Sequence, residues 1–213
     1  MGATKIMVIR HAEKPASPPT ASNPGLNQDG SVPPDLGPKL LTARGWSRAG
    51  ALVGLFAPPS GPKALLATPQ FLFASNPDSK PDDDPGDEGP SQRPFETLSP
   101  LAAKLGLPIN TGFRKKHYDK MVKAGLDCDG VLLIAWQHED IAMTTKDGAP
   151  GISAEILSLT GTQGTFTVPP TWPTDAFGVA RYDLVFVFDR PSGTGAITGF
   201  TLVPQHLLPG DAP

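Results

Sequence analysis

Two short apolar runs constrain the fold more than any other feature of this chain. Residues 4–10 form a continuous run around Ile6-Met7-Val8-Ile9. It reads as a strand buried on both faces, the habit of strands in a parallel sheet. Val131–Trp136 is the most strand-like run in the sequence. Both runs end on polar residues with chemical capacity, Arg10-His11 in the first case and Gln137-His138-Glu139-Asp140 in the second.

Helical patterns lie between them. Thr42 is a good cap for a helix whose apolar residues Trp46, Ala49, Leu52, Val53 and Phe56 recur at helical spacing. Residues 70–74 read as another buried strand, and Ser91 opens a helix that runs to Leu105, with Gly106 as its stop and Pro108 beyond. Residues 115–124 read as a short basic helix and 153–159 as a further one. Residues 182–188 and 196–203 read as an antiparallel pair joined through Arg190-Pro191-Ser192-Gly193. Alternating strands and helices predict an α/β fold, a three-layer αβα sandwich around a mostly parallel central sheet. In such sheets ligands bind beyond the carboxyl ends of the strands, where Arg10-His11 and His138-Glu139 fall.

The predicted elements leave much of the chain over, and composition agrees. The 213 residues include 26 prolines and 23 glycines, with 38% hydrophobic and 18% charged residues. One domain over residues 1–213 is the expected size. It carries two irregular insertions, at 15–38 and 76–92. The first has the length of a lid or binding loop. The second contains Asp82-Asp83-Asp84 and Asp87-Glu88 and reads as a solvated excursion rather than a metal site. A formal charge of −3 argues against a nucleic-acid partner, and no apolar run has the roughly 18 residues of a membrane span. No targeting segment is visible before Lys5, and the single Cys128 suits a reducing compartment, so a cytoplasmic location is expected. Cys128 reads as an inert thiol, Arg44 and Arg48 as helix-surface charges, and Lys115, Lys116 and Lys120 as a solvated face with a lesser claim to steering substrate.

Arg10-His11 at a strand end fits phosphoryl transfer. The planar guanidinium matches phosphate geometry and keeps its charge. An imidazole held at one nitrogen is a nucleophile at the other near neutral pH. Arg93 and His138 are the candidates to complete a phosphate pocket.

The same residues carry a resemblance. Ile9-Arg10-His11-Ala12-Glu13-Lys14 resembles the strand-end signature of the histidine phosphatase superfamily, the phosphoglycerate-mutase-like clan. Leu41-Thr42-Ala43-Arg44-Gly45-Trp46-Ser47-Arg48-Ala49 is similar to the opening of that family's first helix. Ser91-Gln92-Arg93-Pro94-Phe95-Glu96-Thr97 resembles its second arginine motif, and Trp136-Gln137-His138-Glu139 its second histidine. The four motifs stand in the family's order over residues 4–145. Later, Trp172-Pro173 and Tyr182-Asp183-Leu184-Val185 look like a C-terminal strand of small bacterial members.

The resemblance implies a phosphoglycerate-mutase-like fold and a metal-independent, cofactor-free phosphoric monoester hydrolase. His11 would be phosphorylated, with Arg10, Arg93 and His138 holding the phosphate and Lys14 as an added cation. Glu139 would protonate the leaving oxygen, which requires a raised pKa; Glu13 and Asp140 are the fallbacks. The substrate would be a phosphorylated small molecule or protein, phosphohistidine included. Ala12 departs from the family's usual glycine. Three other readings are a phosphoglycerate-mutase-type phosphotransferase, a non-catalytic phosphate-binding module, and a metal-dependent hydrolase using His11, Glu13, His138, Glu139 and Asp140. The last places Arg10 and Arg93 unfavourably close to a cation.

Overall fold

A computed structural model describes residues 2–78 and 90–211, so most of the acidic insertion, at 79–89, lies outside the described residues. The chain runs β1 (Lys5–Arg10), α1 (Ala43–Phe56), β2 (Phe71–Ser75), α2 (Arg93–Leu105), β3 (Ile109–Phe113), α3 (Tyr118–Leu126) and β4 (Val131–Trp136). A single 3-10 turn at His138–Asp140 leads to α4 (Ile152–Leu159), β5 (Leu184–Asp189) and β6 (Gly199–Pro204). The six strands form one sheet in the order β3-β2-β4-β1-β5-β6. β3, β2, β4 and β1 are parallel; β5 runs antiparallel to β1, and β6 antiparallel to β5.

Alternation along the central strands divides the core in two. Ile6 and Val8 of β1 and Leu132, Ile134 and Trp136 of β4 face α3 and α4. Met7, Ile9, Leu133 and Ala135 face α1 and α2 on the other side. With both faces covered, every side chain of these strands except those at their starts is buried, which explains the continuous apolar runs. The architecture is the expected three-layer α/β sandwich. No helix among the described residues is long and apolar enough to cross a membrane.

Local chemistry sets the helix ends. The Thr42 hydroxyl accepts the Gly45 N–H at 3.1 Å and caps α1. Gly106, at φ 66°, ends α2 in the left-handed region. Three details differ from the sequence reading. Ser91 does not open α2: the helix begins at Arg93, with Pro94 in its first turn, and the Ser91 hydroxyl instead accepts from Arg93 Nε at 2.8 Å. α3 begins at Tyr118, which leaves Lys115 in the preceding turn. β3 was not anticipated, because as an edge strand it alternates half-buried with exposed residues and contains Asn110 and Gly112.

Candidate active site

β1 and β4 are parallel neighbours in a register that pairs Arg10 with Trp136. The His11 N–H continues the ladder to Trp136 O at 2.9 Å, so His11 and Gln137-His138 leave the sheet side by side. After β1 the chain turns to α1 on one face, and after β4 it proceeds to α4 on the other. Such a divergence opens a crevice at the strand ends. β2, on the far side of β4, ends there too, and its Ser75 hydroxyl lies 3.0 Å from Gln137 Nε2. A narrow cleft at this edge is lined by His11, Lys14, Lys39, Ser91, Arg93, Lys115, Gln137 and Glu139.

The strand-end loop is held from two sides. The Ala12 N–H donates to Thr97 Oγ1 of α2 at 2.8 Å. The Thr42 N–H at the start of α1 donates to Glu13 O at 3.0 Å. Gly45 packs directly on that loop: a Cβ there would stand 2.5 Å from Glu13 O. The glycine of the first-helix motif is thus a matter of backbone approach.

His11 is buried, at 3% exposure, and its Nδ1 lies 2.7 Å from the Ala12 carbonyl oxygen. A carbonyl only accepts, so Nδ1 carries the proton and the lone pair remains on Nε2. Burial, reinforced by the charges of Arg93 and Arg10, holds the imidazole pKa well below its ordinary value. At neutral pH His11 is therefore an uncharged, oriented imidazole.

The structure brings His11, Lys14, Arg93 and Glu139 to the cleft together, while Arg10 and His138 are not among its lining residues. The Arg10 guanidinium stacks 3.6 Å over the Tyr182 ring and donates through Nη1 to Ala180 O, leaving Nε buried without a hydrogen-bond partner. Burial lowers the Arg10 pKa to about 10, which keeps it charged at neutral pH. His138 Nδ1 lies 3.0 Å from Glu139 Oε2 but out of hydrogen-bond alignment. Burial lowers its pKa, with partial compensation from Glu139.

The acid candidates require correction. Glu139 was expected to carry a raised pKa. Burial does push it upward, but His138 at 3.0 Å and Lys115 Nζ at 3.0 Å outweigh burial and hold the carboxyl far below its ordinary range. Glu13 is drawn away from the cleft by Arg48 at 2.8 Å and Arg44 at 3.2 Å, and lines a neighbouring cleft. Asp140 is the carboxyl whose pKa rises, to about 7, through burial and the charge of Glu139, yet it does not line the cleft. Arg48 is no surface charge: at 2% exposure it is among the most buried side chains. The five residues proposed as metal ligands do not assemble, and no group of three His, Cys, Asp or Glu among the described residues is placed to hold a metal ion. Burial raises the pKa of the half-buried Cys128 thiol.

Sequence reasoning missed Lys39, the inward-facing Gln137 and the Tyr182 platform. Each depends on loop closure or a distant segment; for Lys39 the only local signal was its place at the end of a long loop.

No protein-family model and no curated protein matches the chain. Among solved structures, a protein of Agrobacterium tumefaciens assigned as a phosphohistidine phosphatase, SixA, is 14% identical and superposes with a TM-score of 0.42 over 94% of this chain and 96% of that one. At that score and identity the likeness decides nothing about the chemistry, and the site stands on its own geometry.

Proposed function

We propose that this chain is a phosphatase acting on phosphomonoesters or phosphohistidine through a covalent phosphohistidine at His11. The observation that carries the reading is the state of His11: neutral, fixed through Nδ1, and set in a cleft with Arg93, Lys14, Lys39 and Lys115. Anion-stabilising groups around a fixed nucleophile are what phosphoryl transfer requires.

In the first step Nε2 attacks phosphorus, the bond to the leaving oxygen breaks, and that oxygen takes up a proton. In the second, water attacks phosphorus, the bond to Nε2 breaks, and the water's proton passes to a base. Arg93 holds the phosphoryl oxygens and the charge of Arg10 biases the pocket toward an anion, while His138, its pKa lowered by burial, adds no charge at neutral pH. Glu139 serves both steps as one group, base in the second and acid in the first. It is ionised beside His138 and Lys115, which suits the base. A bound phosphoryl dianion would raise its pKa and supply the acid form. Leaving groups that are weak bases need that proton least.

The test is hydrolysis of p-nitrophenyl phosphate from pH 4 to 8, with and without EDTA, by wild type and His11→Ala. Turnover that resists EDTA and disappears in the variant is expected, with acid-labile label on His11 after rapid quench. EDTA-sensitive turnover that survives loss of His11 overturns the mechanism.

A further inference from the structure

One polar group in the cleft is only half used. Gln137 is 4% exposed, and one end of its amide lies 3.0 Å from the Ser75 hydroxyl. The other end is buried without a hydrogen-bond partner among the described residues, although Gln137 lines the cleft. A buried polar group left unpaired costs stability, so folded proteins rarely keep one without a use.

Strand register determines what this amide stands beside. β1 and β4 pair Ile9 with Ala135 and Arg10 with Trp136. The ladder continues through the His11 N–H, and Gln137 keeps an extended backbone, at φ −76° and ψ 133°. Gln137 is therefore abreast of His11, about one strand spacing or 5 Å away. Ile9 and Ala135 face α1 and α2, so alternation turns His11 and Gln137 to the side of α2, whose first residue is Arg93. A side chain beside the nucleophile meets the equatorial oxygens of a phosphoryl group on Nε2. The apical position, taken by the leaving oxygen or by water, lies on the far side of phosphorus. Equatorial oxygens carry the negative charge during transfer and are stabilised by donors.

Ser75 governs which end of the amide meets them. Ser75 is 1% exposed, and Gln137 is the one hydrogen-bond partner of its hydroxyl among the described residues. With Nε2 turned to Ser75, the hydroxyl proton and the amide oxygen are both left over, and that oxygen would face an anion. A half-turn about the last side-chain torsion exchanges the two ends. The hydroxyl then donates to Oε1, and both protons of Nε2 are offered to the cleft.

We propose that Gln137 is a phosphoryl-binding residue whose amide N–H groups donate to an equatorial oxygen, while Ser75 donates to its carbonyl oxygen and fixes its plane. This deepens the phosphatase reading and rests on it for the placement of the phosphoryl group.

The test reads anion binding and stability separately from turnover. Orthovanadate adopts the five-coordinate geometry of a phosphoryl group in transfer. It is titrated calorimetrically at pH 8 into full-length wild type, Gln137→Met, Gln137→Glu and the double variant Ser75→Ala/Gln137→Met. Gln137→Met should bind it about tenfold or more weakly, the loss expected for a hydrogen bond to a charged group. Gln137→Glu keeps the shape and still accepts from Ser75 but offers the cleft no donor, so it should bind more weakly still. The double variant, with both partners apolar, should lose the same affinity yet keep a urea midpoint at or above that of wild type. An affinity within about twofold of wild type in Gln137→Met or in Gln137→Glu overturns the proposal, and so does wild type that binds no vanadate. A loss of affinity matched by a lower urea midpoint in the double variant also overturns it, by assigning the amide to the fold. The phosphatase reading fails separately, through absent turnover and an unlabelled His11 in wild type.

Discussion

Arg48→Met tests the network that holds the catalytic loop in place. Arg48 Nη2 lies 2.8 Å from Glu13 Oε1 and 2.6 Å from Asp211 Oδ1, and Nη1 lies 3.1 Å from Gln205 Oε1. The substitution keeps much of the volume and removes the charge between two buried carboxylates. Breaking one side of a buried ion pair costs about 3–5 kcal/mol. Arg44 still reaches Glu13 at 3.2 Å, and the Leu207 and Leu208 N–H groups still donate to Asp211, so the low end applies, about 3 kcal/mol. In a chain of this size that lowers Tm by roughly 6–12 °C. Urea denaturation followed by tryptophan fluorescence measures the free energy directly. A pH series supplies an independent arm. Burial would raise the Asp211 pKa, but hydrogen bonds from Arg48 and the two backbone amides lower it from 3.8 to about 2. A lowered folded-state pKa contributes stability that is present above the unfolded value and lost as pH falls through the folded one. Wild type should therefore lose stability between pH 4 and 2 from this group, and Arg48→Met should lose less. A variant within about 0.5 kcal/mol of wild type, with the same acid limb, would refute the reasoning.

Three further outcomes follow from the site. Gly45→Ala should destabilise the protein in urea even though alanine favours a helix by about 1 kcal/mol, because its Cβ meets Glu13 O at 2.5 Å. Asp140 has a folded-state pKa raised to about 7, chiefly by burial, so the folded chain retains a proton that the unfolded chain releases above 3.8. Stability from this group is complete at low pH and declines as pH rises toward 7; Asp140→Asn should raise Tm more at pH 8 than at pH 5, in a scanning fluorimetry series. Glu139→Gln should lower turnover of an alkyl phosphate roughly tenfold or more, with a smaller loss on p-nitrophenyl phosphate, because only the former needs a proton on its leaving oxygen. Equal losses in steady-state assays on both would remove Glu139 from the acid role.

What could be read from the sequence was local, and what escaped it was set at long range. β1, β4, the Thr42 cap and the Gly106 stop each express a rule confined to a few neighbouring residues, and each is present. β3 escaped because Ile-Asn-Thr-Gly-Phe lacks the two-sided burial that marks the central strands. Arg48 did offer a local signal: on α1 it falls between Gly45 and Leu52, on the stripe that is buried. Charge argued for the surface, and the partners that reverse the argument, Gln205 and Asp211, lie 157 and 163 residues further along. Glu139 shows the same limit in its chemistry. Its position after His138 is a sequence fact, but its proton is governed by Lys115, 24 residues earlier and delivered by the turn before α3. Residue identity nominates a group for a role in proton transfer, whereas its charge state comes from neighbours that only the fold assembles. In this cleft the nominated acid is ionised, and two carboxyls with raised pKa, Asp140 and Glu96, stand outside the lining. The step most in need of direct measurement is therefore protonation of the leaving oxygen, and the contrast between alkyl and nitrophenyl phosphates isolates it.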